Sequence, residues 1–233
     1  MSDHLPAPRE RRPRAVALRY RREEGGAPLM LEEGVFDIVK PEAAFGLHVW
    51  SALNAGKIGY RSGPFMAAAD RFRILVMGEQ THGSRPWSGI DPIVASAQIV
   101  MGLQTLVSRQ IDISAHPAVV SVGAIKGGIR NNIIPDQVEM VGTFRTFDPA
   151  VRQQIIDGIT RTAKDIAASS GAAAEVEIAD DDNPVTFNDV KLTERMLPSL
   201  ERAAGAGNVV ELPFVTGAED FSFYGQRVPS LFF

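Results

Sequence analysis

From residue 23 onward the apolar and polar positions fall into short strands and longer helices. Residues 24–34 read as a Gly-rich turn and a short helix around 28–33. Residues 43–50 (AAFGLHVW) are almost continuously apolar, which predicts a buried strand in a sheet covered on both faces. The Gly-, Ser- and Asn-rich stretch 51–63 predicts a strand with turns. Over 71–77, Phe72, Ile74 and Val76 alternate with Arg71, Arg73 and Leu75, the period of a strand with one buried face. Asp91-Pro92 and Asp148-Pro149 each pair a capping carboxylate with a proline at the first helical turn. The helix after Asp91 places Val94, Ala97, Met101, Leu103, Leu106 and Val107 at helical spacing. The one after Asp148 places Val151, Ile155, Ile156, Ile159, Ala163 and Ile166, and Gly171 stops it. Strands are predicted over 118–125, 137–147 and 174–178, with Val138, Met140 and Phe144 on one face of the second. A further helix over 189–204 is kinked or shortened at Pro198. It is followed by a short strand near Val209, a loop over 216–224 and a strand over 229–233.

The order from 64 to 181 is β-α-β-β-α-β, that of a ferredoxin-like sandwich. Residues 23–63 and 182–233 read as pieces of a second α/β domain, too few for a core of their own. The chain stops inside an apolar strand at Phe233, which predicts a truncated end.

Composition narrows the function classes. The chain has 233 residues, 45% hydrophobic and 22% charged, as in ordinary soluble proteins. No apolar run is long enough to span a bilayer, and no secretory leader is recognisable, so a cytoplasmic location is expected. Cysteine is absent, which removes disulfides, thiolate metal sites and cysteine nucleophiles. Seven arginines stand against Asp3 and Glu10 in residues 1–22, a balance of +5, which leaves −9 for the rest of the −4 chain. This basic arm lacks apolar periodicity and reads as disordered. A basic arm on a ferredoxin-like sheet raises the possibility of RNA binding. However, the strand over 118–125 has no aromatic residue on which bases could stack, so no nucleic-acid partner is expected.

Four histidines remain. His48 ends the 43–50 run, where a strand terminus faces ligand crevices in α/β sheets. In isolation it reads as an ordinary core histidine. The loop THGSRP (81–86), following an expected edge strand, offers His82 with a hydroxyl and a guanidinium, a set able to grip a carboxylate or polarise a carbonyl. GGIRNNIIPD (127–136) is long for a hairpin and presents Asn132, and Arg145 follows on the next strand. Acidic pairs occur at Glu23-Glu24 and Glu32-Glu33, and again in the loop holding Glu219 and Asp220. Each could supply metal ligands or a base, or could be a solvated helix end.

Seven segments in order resemble metallopeptidase family 20, in its aminoacylase, hippurate hydrolase and indole-acetyl-amino-acid hydrolase branch. They are EEGGAPLMLEEGVFD, FGLHVW, GYRSGPFMAAADRF, THGSRPWSGIDP, GGIRNNIIPD, GTFRTFD and VTGAEDFSFY. The resemblance implies an α/β catalytic domain of the di-metal aminopeptidase type, here partial, interrupted by a ferredoxin-like lid and dimerisation domain. It implies hydrolysis of an N-acyl amino acid by a homodimer holding two divalent ions (Zn, Mn, Ni or Co) per site. His48 would be a metal ligand, and His82 would stabilise the oxyanion from the partner subunit. Asn132 and Arg145 would hold the substrate's amide or carboxylate. Glu23 would be the general base and Glu24 a metal ligand, although the pair aligns equally well with a second Glu-Glu of that branch.

The chain also departs from the family pattern. The His-x-Cys-Gly-His-Asp segment is missing, and Tyr20-Arg21-Arg22 stands where Gln-Pro-Ala is expected. The last metal-ligand histidine would lie beyond Phe233. A chain truncated at both ends, impaired or inactive as a hydrolase, is therefore expected. The alternative is a non-catalytic dimerisation or ligand-binding module of the same descent.

Overall fold

Short elements open the described part of the chain. α1 (Gly26–Glu32) and α2 (Val35–Val39) precede β1 (Ala44–Gly46), β2 (Ile58–Tyr60) and β3 (Gly63–Met66). The structure is a computed structural model and describes residues 26–179 and 183–233. The basic arm, Glu23 and Glu24 lie outside the described residues.

The long strand expected over 43–50 is not formed. Only Ala44–Gly46 is β-structure, and Leu47 and Val49 are 67% and 84% exposed. A strand that is apolar on both faces needs neighbours along both edges. Among the described residues β1 has one, the parallel strand β12 at the far end of the chain.

The next strand, β4 (Ala68–Met77), keeps the expected alternation, with Phe72, Ile74 and Val76 buried. It is an interior strand, not an edge, because β8 and β9 flank it. β5 (Thr81–His82) and a 3₁₀ turn at Pro86–Ser88 interrupt the loop after it. α3 (Pro92–Gln110) then starts on Asp91, whose carboxylate accepts from the Ile93 and Val94 amides at 2.8 and 3.2 Å. Leu103 and Leu106 point inward as expected. Val94, Ala97 and Met101 do not: Ala95, Ser96 and Ile99 are buried in their place, and Met101 is 69% exposed. Apolar residues occupy more than one face of this helix, so spacing alone does not choose the buried one.

β6 (Val119–Gly127), β7 (Ile133–Ile134), β8 (Gln137–Thr146), α4 (Pro149–Ser169) and β9 (Ala173–Ile178) complete this part. The sheet is antiparallel in the order β6-β8-β4-β9. One continuous core joins Phe72, Ile74, Met140 and Phe144 of the sheet to Ile99 of α3 and Ile155 of α4. A Cβ at Gly142 would stand 2.2 Å from the Phe72 ring and 2.4 Å from the Ser121 carbonyl oxygen, so only glycine lets that ring lie on β8. Gly171, at φ 78°, takes the left-handed turn that ends the α4 region.

α4 begins on Asp148, which accepts from the Ala150 and Val151 amides at 2.7 and 3.1 Å. The Val151 amide does most to hold this carboxyl below its usual range; burial opposes it, and Ala150 and nearby His116 add to the lowering. A lowered folded-state value stabilises the fold above the ordinary carboxylate range, and the gain is lost as pH falls through the lowered value. Asp148→Asn keeps an acceptor at the cap but removes the titration. Urea midpoints measured from neutral to acid pH should therefore fall less steeply for the variant. Parallel acid limbs would show that the cap is not linked to protonation.

The chain returns through β10 (Thr186–Asn188), α5 (Val190–Ala204), β11 (Val209–Glu211), α6 (Ser222–Gly225) and β12 (Ser230–Phe232). α5 runs on through Pro198 to Ala204, so the proline does not shorten it. β10 pairs with β3, β11 with β2 and β12 with β1, so the two flanks of the chain fold together. Two small clusters, around Phe65 with Phe232 and around Leu192 with Leu231, form their core.

Candidate functional site

His48 lies just past the carboxyl end of β1. Its amide donates to the Phe233 carbonyl at 3.1 Å, which continues the β1–β12 pairing by one step. The exposed ring meets Trp50 edge-on at 5.5 Å, and Nδ1 lies 2.7 Å from the Val49 carbonyl oxygen. That carbonyl can only accept, so Nδ1 carries the proton and Nε2 keeps its lone pair for a cation. The residue borders a cavity of about 230 Å³ whose walls include Trp50, Ile58, Phe65 and Leu212.

The loop before α6 carries two adjacent acids, Glu219 and Asp220. Burial, and then the hydrogen bond to Asp220, push the Glu219 carboxyl above its usual range. Asp220 in turn accepts from the Ala27 amide at 2.9 Å. It therefore ties down the start of α1. In the sequence Glu219 and Asp220 are only one of three ambiguous acidic loops. The Ala27 amide that Asp220 accepts from is 193 positions away, beyond the reach of any spacing argument.

His82 and Asn132 also come together. β5 pairs with β7 in the register His82↔Ile133, and the Gly83 amide donates to the Asn132 carbonyl at 2.7 Å. The Ser84 amide donates to His82 Nδ1 at 3.1 Å, and the Ser84 hydroxyl lies 2.7 Å from the same nitrogen. With Nδ1 accepting, neutral His82 carries its proton on Nε2. An exposed loop thus presents an imidazole N–H donor whose tautomer is set by its own backbone.

Arg145 stands elsewhere. It pairs in register with Ala69 and Val119, and its guanidinium donates to the Thr143 hydroxyl at 2.6 Å and the Phe144 carbonyl at 3.3 Å. The His82 end of the sheet is at Met77↔Gln137. Eight residues of β8 separate the two ends, about 27 Å at roughly 3.4 Å per residue. A single chain therefore does not bring Arg145 to the same small molecule as His82 and Asn132. Arg145 lies at the end where Ala67 donates to the Val215 and Gly217 carbonyls, next to the loop that carries Glu219.

Among the described residues no three His, Cys, Asp or Glu side chains gather closely enough to hold a metal ion. The donors present do not fit a two-metal centre, in which each ion takes four or more ligands.

Comparison with known proteins shows where this geometry belongs. Residues 10–233 match peptidase family M20/M25/M40. The chain belongs to that family. It is 39% identical over 209 residues to the thermostable carboxypeptidase 2 of Saccharolobus solfataricus, covering 90% of this chain and 52% of the relative. It is 40% identical over 212 residues to an N-acetylcysteine deacetylase of Bacillus subtilis, covering 89% and 53%. The crystal structure of the Bacillus subtilis YXEP protein, a dinuclear metal-binding peptidase, superimposes with a TM-score of 0.72 at 35% identity, covering 88% of this chain and 50% of that one. The chain spans about half the length of the curated relatives it matches. The mixed α/β class expected from the sequence is that of these M20/M25/M40 proteins.

Proposed function

We propose that this chain carries part of the active site of an amidohydrolase that cleaves N-acyl amino acids. The observation that supports this most is the placement of His48 just past the carboxyl end of β1, at the border of a cavity of about 230 Å³, in a chain 40% identical to an N-acetylcysteine deacetylase. In this reading His48 is a ligand for one of two divalent ions of a complete site, with Glu24 a second donor and Glu23 the base. Arg145 receives the substrate carboxylate as a charge-assisted pair. His82 donates Nε2–H to the carbonyl oxygen as it gains negative charge.

The separation of Arg145 from His82 and Asn132 favours a site shared between two copies of residues 64–181, acting as lid and dimerisation unit. The edges of the sheet favour the same arrangement. β9 guards its edge with exposed Glu175 and Glu177, whereas β6 offers exposed Val119 and Ile125, and α3 an exposed Met101. A homodimer joined along β6 extends the sheet and leaves His82 and Asn132 free to reach the other copy.

The chain on its own is expected to turn over hippuryl and N-acetyl amino acids little or not at all when supplied with Zn²⁺, Mn²⁺, Ni²⁺ or Co²⁺. It should nevertheless bind these ligands as a dimer by light scattering, and Arg145→Ala should weaken the binding at least tenfold. Turnover with two retained ions would overturn the impaired reading. Ligand binding unchanged by Arg145→Ala, or absent from the parent chain, would overturn the substrate reading. A non-catalytic binding module is the second reading, favoured by the lack of a three-donor cluster among the described residues. It requires binding without turnover even when the rest of the catalytic domain is supplied.

A further inference from the structure

We propose that Trp87 and Ile129 receive the acyl group of the substrate and select an aromatic acyl group over acetyl. Their role rests on the reading of the chain as part of an N-acyl amino acid amidohydrolase. It concerns the half of the substrate that Arg145 does not hold.

Both side chains stand in water beside the residues that would meet the reacting carbonyl. Trp87 is 80% exposed and Ile129 90% exposed. From His82 the chain reaches Trp87 in two successive turns: the Arg85 amide donates to the His82 carbonyl at 2.8 Å, and the Ser88 amide to the Arg85 carbonyl at 3.0 Å. Ile129 lies on the loop between β6 and β7 that presents Asn132. The β5–β7 pairing, in the register His82↔Ile133, holds the two loops side by side.

The backbone fixes both positions. Glu79 and Ile90 pair in both directions, at 2.9 and 3.1 Å, and close the first loop at its base. Pro86 starts the 3₁₀ turn Pro86–Ser88 that displays the indole. A Cβ at Gly89 would stand 2.5 Å from the Glu79 carbonyl oxygen, so the chain closes there only on glycine. Gly128 takes the left-handed conformation at φ 78°, against the Ile93 side chain, just before Ile129. An apolar surface held in this way loses little freedom when a ligand covers it.

The geometry of the reaction identifies the occupant. His82 donates Nε2–H to the carbonyl oxygen, while Arg145 of the other copy takes the carboxylate of the amino-acid half. The acyl group is bonded to the same carbonyl carbon and extends away from the amino acid, toward the side chains around His82. The indole and the Ile129 side chain are large exposed apolar surfaces there. A benzoyl ring stacks on the indole and removes apolar area from water on both sides, whereas acetyl offers a single methyl group.

Calorimetry on the full 233-residue chain with Zn²⁺ present tests this, using two probes that share their amino-acid half, hippurate (N-benzoylglycine) and N-acetylglycine. Trp87→Ala should weaken hippurate binding about tenfold, the scale of one buried aromatic contact, and leave N-acetylglycine within about twofold. Ile129→Ala should act in the same direction but more weakly, and Trp87→Phe should restore most of the hippurate affinity. Because both side chains are exposed, the variants should unfold at the parent's thermal midpoint. Hippurate affinity unchanged when Trp87→Ala and Ile129→Ala are combined overturns the proposal, as does an equal loss for both probes. Loss of the dimer by light scattering in that double variant would assign the side chains to contact between copies and also refute it. Arg145→Ala, by contrast, should weaken both probes alike. A parent chain that binds neither probe, or binding indifferent to Arg145→Ala, overturns the amidohydrolase reading itself and this role with it.

Discussion

Asp70→Ala should cost about 1.5–3 kcal/mol of stability, the usual worth of hydrogen bonds to a charged group, because the carboxylate is buried while the Arg152 side chain is 39% exposed. Asp70 is 2% exposed on β4 and faces the first turn of α4. Arg152 Nε lies 2.9 and 3.1 Å from its two carboxylate oxygens, and a terminal guanidinium nitrogen lies 2.5 Å from one of them. This forked pair fixes α4 to the centre of the sheet by direction as well as by charge. Thermal unfolding should shift down by roughly 5 °C or more for a chain of this size. A shift under about 2 °C would show that the pair is solvated and contributes little.

Asn188→Ala should be at least as damaging, by a different route. The buried amide serves three backbone groups: it donates to the Arg61 carbonyl at 2.8 Å and to the Phe232 carbonyl, and it accepts from the Phe232 amide. Since the Phe232 N–H needs an acceptor, the network itself orients the amide oxygen. Each buried group left unpaired costs about 1–3 kcal/mol, so a total of at least about 3 kcal/mol is expected. The damage should concentrate in the flanks. Amide exchange in β12 and β2 should accelerate while α3, α4 and the four-stranded sheet stay protected. Uniform acceleration across the chain would mean that the two parts unfold as one cooperative unit.

The legible parts of the fold are those written locally. Asp91-Pro92 and Asp148-Pro149 announce two helix starts because cap and proline are neighbours, and both carboxylates accept the expected amides. The alternation of Phe72, Ile74 and Val76 gives the buried face of β4 directly. Strand order is non-local, and so β4 reads as an edge in the sequence and proves to be flanked on both sides. The α3 face fails for another reason. With Ile93, Val94 and Met101 exposed and Ile99 buried, the helix is apolar in more directions than the core can use. The 43–50 run illustrates a third limit: an apolar run records what a segment is suited to, and exposure depends on which neighbours are present.

The candidate site divides in the same way. His48 and His82 stand out as rare residues in distinctive strings. The use of Asp220 to hold the start of α1 depends on a chain reversal that no local pattern encodes. Asn188 carries no local signal at all, although it closes one side of the strand on which His48 depends.

The account turns on His48 having been placed to coordinate a cation. Zinc titration of the intact chain, followed by calorimetry and compared with His48→Ala, addresses this directly. The expected result is at most one weakly held ion per chain, with affinity at least tenfold lower in the variant. Unchanged zinc affinity in His48→Ala, or two ions held tightly by the parent, would contradict it.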